Sequence, residues 1–261
     1  METLSFHYHL QIRFDQPVHD HHFTLRCFPQ SDSRQRIDNL QTAVYPNEFI
    51  TDSYDSFGNH CVMGRAGQPH NRFTADVTGV AFTGLSESVP AGNPWREHLF
   101  RQQTHLTYPD AQLVAFADSL PVYSSALDTA QAVMEAVADA IVYTSGVTNV
   151  DTTAAEAFAL KKGVCQDYSH MMLSVLREQK IMARYVVGML MGEGLSHAWV
   201  EVKDGDSWYG FDPTNRIRVS DQHIKISHGR DYRDCRINQG HFYGYGTQTQ
   251  EISVSVQRKE A

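Results

Sequence analysis

The stretch that decides the fold is Gly163-Val164-Cys165-Gln166-Asp167-Tyr168-Ser169-His170, in which a cysteine follows a glycine by two residues. No proline or glycine occurs between Cys165 and Lys180, and residues of one helical face recur through this segment: Val164, Tyr168, Met171, Met172, Val175 and Leu176. The spacing predicts an amphipathic helix whose first turn carries Cys165. Upstream, Thr153 and Glu156 have the spacing of a capping box, which predicts a short helix that Gly163 ends.

Cys165 is the candidate nucleophile of the chain. The first N–H groups of a helix have no acceptor within the helix, and together with the helix dipole they stabilise an anion. A thiolate, which is the reactive form of cysteine, is therefore favoured at this position. Ser169 and Met172 lie on the same side of the predicted helix, beside its apolar face, so we expect the thiol to lie between the core and a cleft.

The composition is that of a soluble globular protein. Of 261 residues, 41 % are hydrophobic and 20 % are charged, and this length lies between one large domain and two ordinary ones. The start of the chain lacks the basic and apolar segments of a signal peptide, and no apolar run approaches the roughly 20 residues of a membrane helix, so we expect a cytoplasmic protein. The net charge of −8, with dispersed Lys and Arg, argues against nucleic acids and acidic membranes as partners.

The four cysteines, at positions 27, 61, 165 and 235, are widely separated and form no C-x-x-C pair. We therefore expect reduced thiols, three of them structural. The histidines His19, His21 and His22 lie in a strand-like region without a matching set of ligands, which favours a solvated surface there. A zinc site built from Cys165, Cys235 and nearby histidines lacks paired ligand spacing and is the weaker alternative, so no metal or cofactor is expected.

The first part of the chain has the two-residue period of β-strands. Apolar residues alternate with polar ones up to Pro17, where we expect a break, and the alternation then resumes: Phe6, Tyr8, Leu10, Ile12, Phe14, Phe23, Leu25 and Cys27. Turn residues at 55–59 separate two further runs, and residues 73–80 close the set. These patterns predict a β-sandwich-like or barrel-like domain, assigned to residues 1–115, without candidate chemistry.

Prolines punctuate the segment between Ser86 and Pro121, as expected at a crossing between domains: Pro90, Pro94, Pro109 and Pro121. A helix is predicted from Ser124 to Tyr143, with Gly146 as its stop signal. Beyond Lys180 the period changes to that of strands, at 183–191, 197–202 and 208–212, with turns at 192–194 and 204–206, and a last strand lies around Val254. We assign the second domain to residues 116–261.

His197 and Asp212 complete a candidate site with Cys165. A cysteine nucleophile needs a base for its proton, and that base needs a partner that fixes its tautomer. His197 begins one predicted strand and Asp212 ends the next, so antiparallel pairing would bring them to one edge of the sheet. A helix start packed against that edge would bring Cys165 to His197.

Four motifs resemble, in order and spacing, the core of the transglutaminase-like superfamily, and most closely its bacterial and archaeal branch, which is described as cysteine proteases. The motifs are Gly163-Val-Cys-Gln-Asp167, Ala183-Arg-Tyr-Val186, Ser196-His-Ala-Trp-Val-Glu201 and Phe211-Asp-Pro-Thr-Asn215. The N-terminal β region resembles the domain that precedes the core in this branch, and His228-Gly-Arg-Asp-Tyr232 resembles the segment that follows it. The resemblance extends over nearly the whole chain.

The resemblance implies an α+β fold, in which an N-terminal β-sandwich-like domain precedes a papain-like transglutaminase core with helices packed on an antiparallel sheet. It implies that Cys165 is the nucleophile, His197 the general base and acid, and Asp212 the carboxylate that orients the histidine. The implied reaction is acyl transfer on an amide bond of a protein or peptide, through a thioester that water or an amine resolves.

The residues around Cys165 differ from those of the animal cross-linking enzymes. Those enzymes carry Gln two residues before the nucleophile and Trp just after it, where this chain has Gly163 and Gln166, so we favour hydrolysis over cross-linking. No acidic loop of calcium-binding pattern occurs, and residues 204–206 are explained as a hairpin turn. The backbone N–H of Cys165 is one expected oxyanion donor, and the sequence does not identify a second.

Four further residues are left outside the predicted site because structural roles account for them. We expect Asp167 to cap a helix, His170 to make a core hydrogen bond, and Trp199 and Cys235 to fill the core. A small-amine acyltransferase and a non-catalytic binding module stay as alternatives to a cysteine hydrolase or a cross-linking transglutaminase.

Overall fold

The computed structural model describes residues 1–92 and 97–259. In these ranges the α-helices are α1 (Ala111–Ser119), α2 (Ala126–Ala140), α3 (Ala154–Leu160) and α4 (Cys165–Glu178), with short 3₁₀ turns at His98–Arg101 and Tyr232–Cys235. The strands are β1 (Glu2–Leu25), β2 (Gln35–Tyr45), β3 (Phe49–Tyr54), β4 (His60–Ala66), β5 (His70–Thr83), β6 (Ser88–Pro90), β7 (Val142–Tyr143), β8 (Lys162–Gly163), β9 (Ala183–Leu190), β10 (Gly192–Gly194), β11 (His197–Asp204), β12 (Ser207–Asp212), β13 (Ile217–Arg218), β14 (His223–Gly229), β15 (Asn238–Tyr243) and β16 (Gln248–Arg258).

Two antiparallel sheets organise these strands, which confirms the predicted α+β fold with an N-terminal β layer. The first sheet is built around β1, which pairs with β4, β5, β15 and β16, while β2, β3 and β10 extend its edges. The second sheet has the order β13-β12-β11-β9-β14, with β6 on β12. The short strands β7 and β8 pair in parallel beside the start of α4.

Strand β1 is longer than the sequence indicates. The predicted break at Pro17 is wrong, because the strand continues through it and only its register shifts between Arg13 and Val18. Pro17 lacks a backbone N–H, and such a bulge tolerates it. A second irregularity lies between His19 and His22, where Asp20 has a left-handed backbone (φ 46°). It changes which alternate residues face inward, so that His21 is buried among aromatic rings instead of lying on a solvated surface as predicted. Burial, together with the nearby His70, lowers the pKa of His21 to about 4.

Helix α3 begins at its predicted cap, helix α2 begins at Ala126 and not at the predicted Ser124, and the ends of both helices differ from the prediction. The helix predicted to reach Tyr143 ends at Ala140, because Ile141 is extended and Tyr143 pairs with Gly163 in the parallel β7–β8 ladder. Helix α3 has the predicted capping box, but Lys161 supplies its left-handed end (φ 54°) in place of Gly163.

Helix α1 falls in the proline-rich segment that the sequence analysis treated as a crossing. The side chain of Asp110 accepts a hydrogen bond from the backbone N–H of Leu113 at 2.8 Å and so caps this helix. Pro94 of the same segment lies outside the described residues.

Helix α4 is the centre of the second layer. It packs against β9 and β11 on one side and against α1, α2 and α3 on others, and its residues from Asp167 to Arg177 are all buried. The only buried cation of this helix, Arg177, donates hydrogen bonds to the carbonyl groups of Phe100, Ala183 and Arg230. These acceptors offset the cost of burying its charge, although burial still lowers the pKa of Arg177 to about 10.

Two buried side-chain amides join the N-terminal β layer to strand β14. Gln35 donates to the carbonyl and accepts from the N–H of Lys225, both at 2.8 Å. Asn59 makes the same pair of bonds with His228, at 2.8 and 2.9 Å. Each side-chain amide bonds to the carbonyl and the N–H of one β14 residue, as the backbone of a neighbouring strand would. These bonds hold the two layers in one relative position.

The C-terminal strands return to the first sheet. Residues 192–194, predicted as a turn, form β10 and pair with β16, and β15 and β16 both pair with β1. Residues 238–258, which the sequence analysis assigned to the second domain, thus contribute strands to the N-terminal layer. The division at residue 115 itself stays a prediction.

All four cysteines are free thiols, and only Cys165 is not buried. Among the described residues, no helix combines the length and apolar character required to traverse a lipid bilayer.

Gly188, which pairs with His197 across β9 and β11, is the position where we predict the sharpest effect on stability. A Cβ atom there would lie 2.2 Å from the carbonyl oxygen of Ile224 and 2.3 Å from the ring of Trp199. We expect Gly188→Ala to lower the free energy of unfolding by about 1–3 kcal/mol through overpacking, as measured by urea denaturation. Gly194→Ala, whose Cβ would meet nothing within 4 Å, is the control and should change stability by less than about 0.5 kcal/mol.

Candidate active site

The start of α4 is fixed by a polar cluster around Asp167. Its carboxylate accepts a hydrogen bond from the backbone N–H of Val164 at 2.7 Å and one from the hydroxyl of Thr148 at 2.7 Å. Gly163 allows this approach, because a Cβ atom there would lie 2.6 Å from Asp167. Burial raises the pKa of Asp167, and these hydrogen bonds counteract the increase only in part. The cluster confirms helix capping as the role of Asp167 and places Cys165 at the first helical position.

The register of β11 and β12 brings His197 to Asp212. These strands are antiparallel neighbours that pair Val200 with Phe211, so the first residue of β11 and the last of β12 lie at the same end of the hairpin. Nε2 of His197 lies 2.7 Å from Oδ2 of Asp212. The other ring nitrogen, Nδ1, does not contact Asp212, and the side chain of Cys165 lies close enough to the imidazole to act on its charge. Cys165, His197 and Asp212, which the sequence predicts to form one site, are therefore neighbours in the structure.

Asp212 is fully buried, and both oxygens of its carboxylate accept hydrogen bonds. Oδ2 accepts hydrogen bonds from His197, from Nδ2 of Asn215 at 2.7 Å and from Nε2 of His223 at 3.2 Å. Oδ1 accepts from the backbone N–H groups of Thr214 and Asn215. Burial alone would raise the pKa of Asp212, but the hydrogen bonds from His197 and His223 outweigh it and hold the pKa well below its usual range.

The same contacts act on His197 in the opposite direction. Burial disfavours the imidazolium, yet the hydrogen bonds to Asp212 and Cys165 and the charges of both partners raise the pKa of His197 to about 10. A protonated imidazole between a carboxylate and a sulfur is therefore the favoured state of this arrangement near neutral pH.

His223 was not singled out by the sequence. It is buried, and burial lowers its pKa, so the ring is neutral near pH 7. Its Nδ1 accepts a hydrogen bond from the backbone N–H of Ser220, which leaves Nε2–H to donate to Asp212. The only signal in the sequence is a histidine that follows the Phe211–Asn215 motif and begins a strand. Asn215, also unassigned, follows Asp212 by three residues, just after the Asx turn in which the backbone N–H of Thr214 donates to Asp212.

Nitrogen atoms of His197 and His223 and a carboxylate oxygen of Asp212 lie within 4.8 Å of one another, which is also the spacing of a metal-binding group. In the arrangement described, however, these atoms are paired with each other and Oδ2 of Asp212 also accepts a bond from Asn215. Asp212 and His223 are also buried, so that an ion from solvent does not reach them, and the set is accounted for as a buried hydrogen-bond network.

Three aromatic side chains surround the sulfur and the imidazole. Trp199 is buried, as predicted for a core residue, and its ring lies 6.2 Å from that of His197. Tyr143 of strand β7 lines the same cleft as Cys165, and burial together with the charge of Cys165 raises the pKa of the phenol. Tyr185 is buried beneath the site, where burial raises its pKa well above its usual value. Both phenols therefore stay protonated at neutral pH.

Cys165 and His197 open onto a cleft of about 750 Å³ between the two sheets. One wall is formed by the start of α4 and by residues 195–198, and the other by the inner face of the N-terminal layer, with β15 and β16. Amide side chains line the second wall: Asn238, Gln239, Gln248 and Gln250. No carboxylate lines this cleft among the described residues, and Arg236 is its one guanidinium.

The remaining predicted residues have the structural roles expected for them. Nε2 of His170 accepts a hydrogen bond from the backbone N–H of Tyr232 at 3.2 Å, and burial lowers the pKa of this histidine to about 3. Cys235 is buried, and burial raises the pKa of its thiol well above the usual value.

We predict that Asp212→Asn lowers the pKa of the His197 imidazole markedly, because it removes the carboxylate charge and hydrogen bond that raise it. Histidine side-chain NMR should show His197 of the wild type protonated up to about pH 10 and that of the variant losing its proton much earlier. Stabilisation from the pair is complete below the ordinary histidine value near 6.5 and is lost as pH rises through about 10. His21, in the same cleft, is the control and should titrate alike in both proteins; an unchanged His197 titration would contradict the prediction.

Comparison with known proteins agrees with this architecture. Residues 115–213 match the transglutaminase-like superfamily, and residues 4–81 match the bacterial transglutaminase-like N-terminal region. A crystal structure from Cytophaga hutchinsonii, described as a "putative cysteine protease", has a TM-score of 0.82 over 100 % of this chain and 91 % of that chain, at 20 % identity. This likeness shows a shared fold.

Relatives by sequence include uncharacterized proteins of mycobacteria. One from Mycobacterium leprae is 36 % identical over 126 residues, which cover 44 % of this chain and 45 % of that protein. One from Mycobacterium tuberculosis (strain H37Rv) is 32 % identical over 130 residues, or 44 % of this chain and 41 % of that protein. The matched region thus spans less than half the length of these relatives. The first match covers the helix and hairpin that hold Cys165, His197 and Asp212, and the second covers the β layer before them. The chain therefore joins a core of the transglutaminase-like superfamily to a bacterial transglutaminase-like N-terminal region.

Proposed function

We propose that the protein is a thiol-dependent acyl-transfer enzyme that acts on amide bonds, with Cys165, His197 and Asp212 as its catalytic triad. The observation that supports this most directly is the hydrogen bond between His197 and the buried Asp212, with Cys165 and His197 lining the same cleft. Ionised sulfur, imidazolium and buried carboxylate are the groups that nucleophilic catalysis on a carbonyl requires.

The reaction follows from the positions of these groups. The thiolate of Cys165 attacks the amide carbonyl carbon, and the negative charge moves to the carbonyl oxygen. His197 then donates its proton to the leaving nitrogen, the C–N bond breaks, and a thioester remains on the sulfur. A water molecule or an amine gives its proton back to His197 as it attacks the thioester, which releases the acyl product and restores the thiolate.

Donors for the oxyanion lie at the start of α4. The backbone N–H of Cys165 belongs to the first turn, whose N–H groups have no acceptor within the helix. We assign the hydroxyl of Tyr143 as the second donor, because Tyr143 lines the cleft together with Cys165 and its phenol stays protonated at neutral pH. It is the donor that the sequence did not identify.

Hydrolysis is the outcome that we favour for the thioester. The cleft is open to solvent, so that water reaches Cys165, and the residues flanking the nucleophile differ from those of the animal cross-linking enzymes. The fold neighbour from Cytophaga hutchinsonii is described as a "putative cysteine protease". A peptidase or amidase activity would agree with that description. Transfer to an amine is the alternative, because the same thioester serves both reactions.

The cleft favours a polypeptide acyl donor that carries an acidic residue near the reacting amide. Its amide-rich wall offers donors and acceptors for a peptide backbone, and Arg236 supplies a cation without a lining carboxylate to compete for it. The nearest carboxylate recorded for this guanidinium belongs to the exposed Asp151, at 3.9 Å.

We expect Cys165→Ala to lower turnover by at least about 10⁴-fold while the fold is kept, because the sulfur forms the covalent bond of the intermediate. The assay would incubate the protein with a peptide library derived from a proteome, a glutamine-containing peptide and a labelled primary amine. Shortened peptides or released ammonia would indicate hydrolysis, and incorporated amine would indicate transfer.

Cys61→Ala is the matched control, since it removes a buried thiol remote from the cleft and should retain wild-type turnover. Unchanged turnover in the Cys165→Ala variant would rule out the mechanism. No product of any of the three kinds from the wild type, with an intact fold, would instead support a binding module.

Arg236→Ala is expected to raise KM for peptides with an acidic residue beside the reacting amide by about tenfold and to leave neutral peptides unaffected, because a charge-assisted hydrogen bond contributes about 1.5–3 kcal/mol. Arg233→Ala is the control: this arginine also pairs with Asp151, at 3.2 Å, but does not line the cleft. Equal effects of the two substitutions, or an equal loss for neutral peptides, would remove Arg236 as a determinant of specificity.

A further inference from the structure

A second group of ligating side chains lies on the outer face of the N-terminal sheet, away from the cleft. Leu4, Phe6, Tyr8 and Leu10 of strand β1 point into the core, so the alternate residues His7 and His9 share the opposite face. Asp76 of strand β5 lies directly across from His9 in the antiparallel register. Two neighbouring histidines of β1 and an aspartate distant from them in sequence thus share one surface spot that the proposed catalytic function does not use.

The side-chain atoms of this group converge on one point. Nδ1 of His9 lies 2.8 Å and Nε2 of His7 lies 2.9 Å from the same oxygen of Asp76, Oδ1. The possible ligand atoms of the three residues lie within 4.8 Å of one another. The exposed fractions of the side chains are 50 % for His7, 26 % for His9 and 37 % for Asp76. An ion from solvent can therefore reach them.

We propose that His7, His9 and Asp76 form a binding site for a divalent transition-metal ion of the zinc type. Two imidazole nitrogens and one carboxylate oxygen suit Zn²⁺, Co²⁺, Ni²⁺ or Cu²⁺, whereas Ca²⁺ and Mg²⁺ prefer oxygen ligands alone. A tautomer change that moves the proton to the other ring nitrogen would turn each facing nitrogen into a ligand without a change of net charge. The fourth tetrahedral position would be open to water.

The sheet itself prepares the site. The spacing of His7 and His9 on one strand and the position of Asp76 on its neighbour are fixed by the β1–β5 ladder, which pairs these strands over most of their length. Little order has to be gained when an ion binds, since the ligands already meet at one carboxylate. A bound ion would connect β1 to β5 and add to the stability of the N-terminal layer.

The test is a titration of the full chain with zinc chloride at pH 7.5, followed by calorimetry, in the Cys165→Ala background so that the cleft thiol does not bind the metal. We expect one ion per chain, and a weakening of at least about tenfold in His7→Ala and Asp76→Ala, since even partners of metal ligands contribute tenfold or more to affinity. His22→Ala is the control: His22 stacks on His241 across strands, at 5.0 Å between rings, and should leave the affinity unchanged.

A second measurement identifies the ligand atoms directly. Copper(II) sulfate added to the Cys165→Ala protein should give an electron paramagnetic resonance spectrum with coupling to two imidazole nitrogens, reduced to one in His7→Ala. The proposal is overturned if no ion binds under these conditions, or if His7→Ala and Asp76→Ala bind zinc as tightly as the parent. Either result would leave the proposed thiol chemistry untouched, because the two sites share no residue.

Discussion

The register of the β11–β12 hairpin is the constraint on which the site depends. It places His197 and Asp212 at one end of two neighbouring strands, so that the carboxylate meets one ring nitrogen at 2.7 Å and leaves the other for Cys165. A slip of one residue would turn one of the two side chains to the opposite face of the sheet. Gly188 supports this register from β9, because only a residue without a side chain leaves room for Trp199 beside the imidazole.

Burial of Asp212 is tolerated because every side of the carboxylate is matched by a donor. Removal of a carboxylate from water is costly unless hydrogen bonds and charges compensate. Here His223, Asn215 and two backbone N–H groups share that task with His197. The imidazole therefore faces a carboxylate that stays ionised, and the raised pKa of His197 follows from this environment.

The cleft exists because two layers are held apart and yet in a fixed relation. The amide side chains of Gln35 and Asn59 bond to the backbone of β14 and fix the N-terminal layer on the core. The C-terminal strands β15 and β16 then return to that layer and supply the wall opposite Cys165. The N-terminal sheet, which the sequence presented as free of chemistry, thus contributes half of the candidate substrate cleft.

The sequence by itself determined the elements of the core: the helix that starts at Cys165, the strands that carry His197 and Asp212, and the alternation that buries one face of β1. These depend on local periodicity and on caps and turns, which neighbouring residues decide. Tertiary structure decided the rest. The path of β1 through Pro17, the burial of His21, the contact of His223 with Asp212 and the return of the C-terminal strands all depend on partners that are distant along the chain, and no local pattern specifies which distant partner a strand or a polar side chain will find.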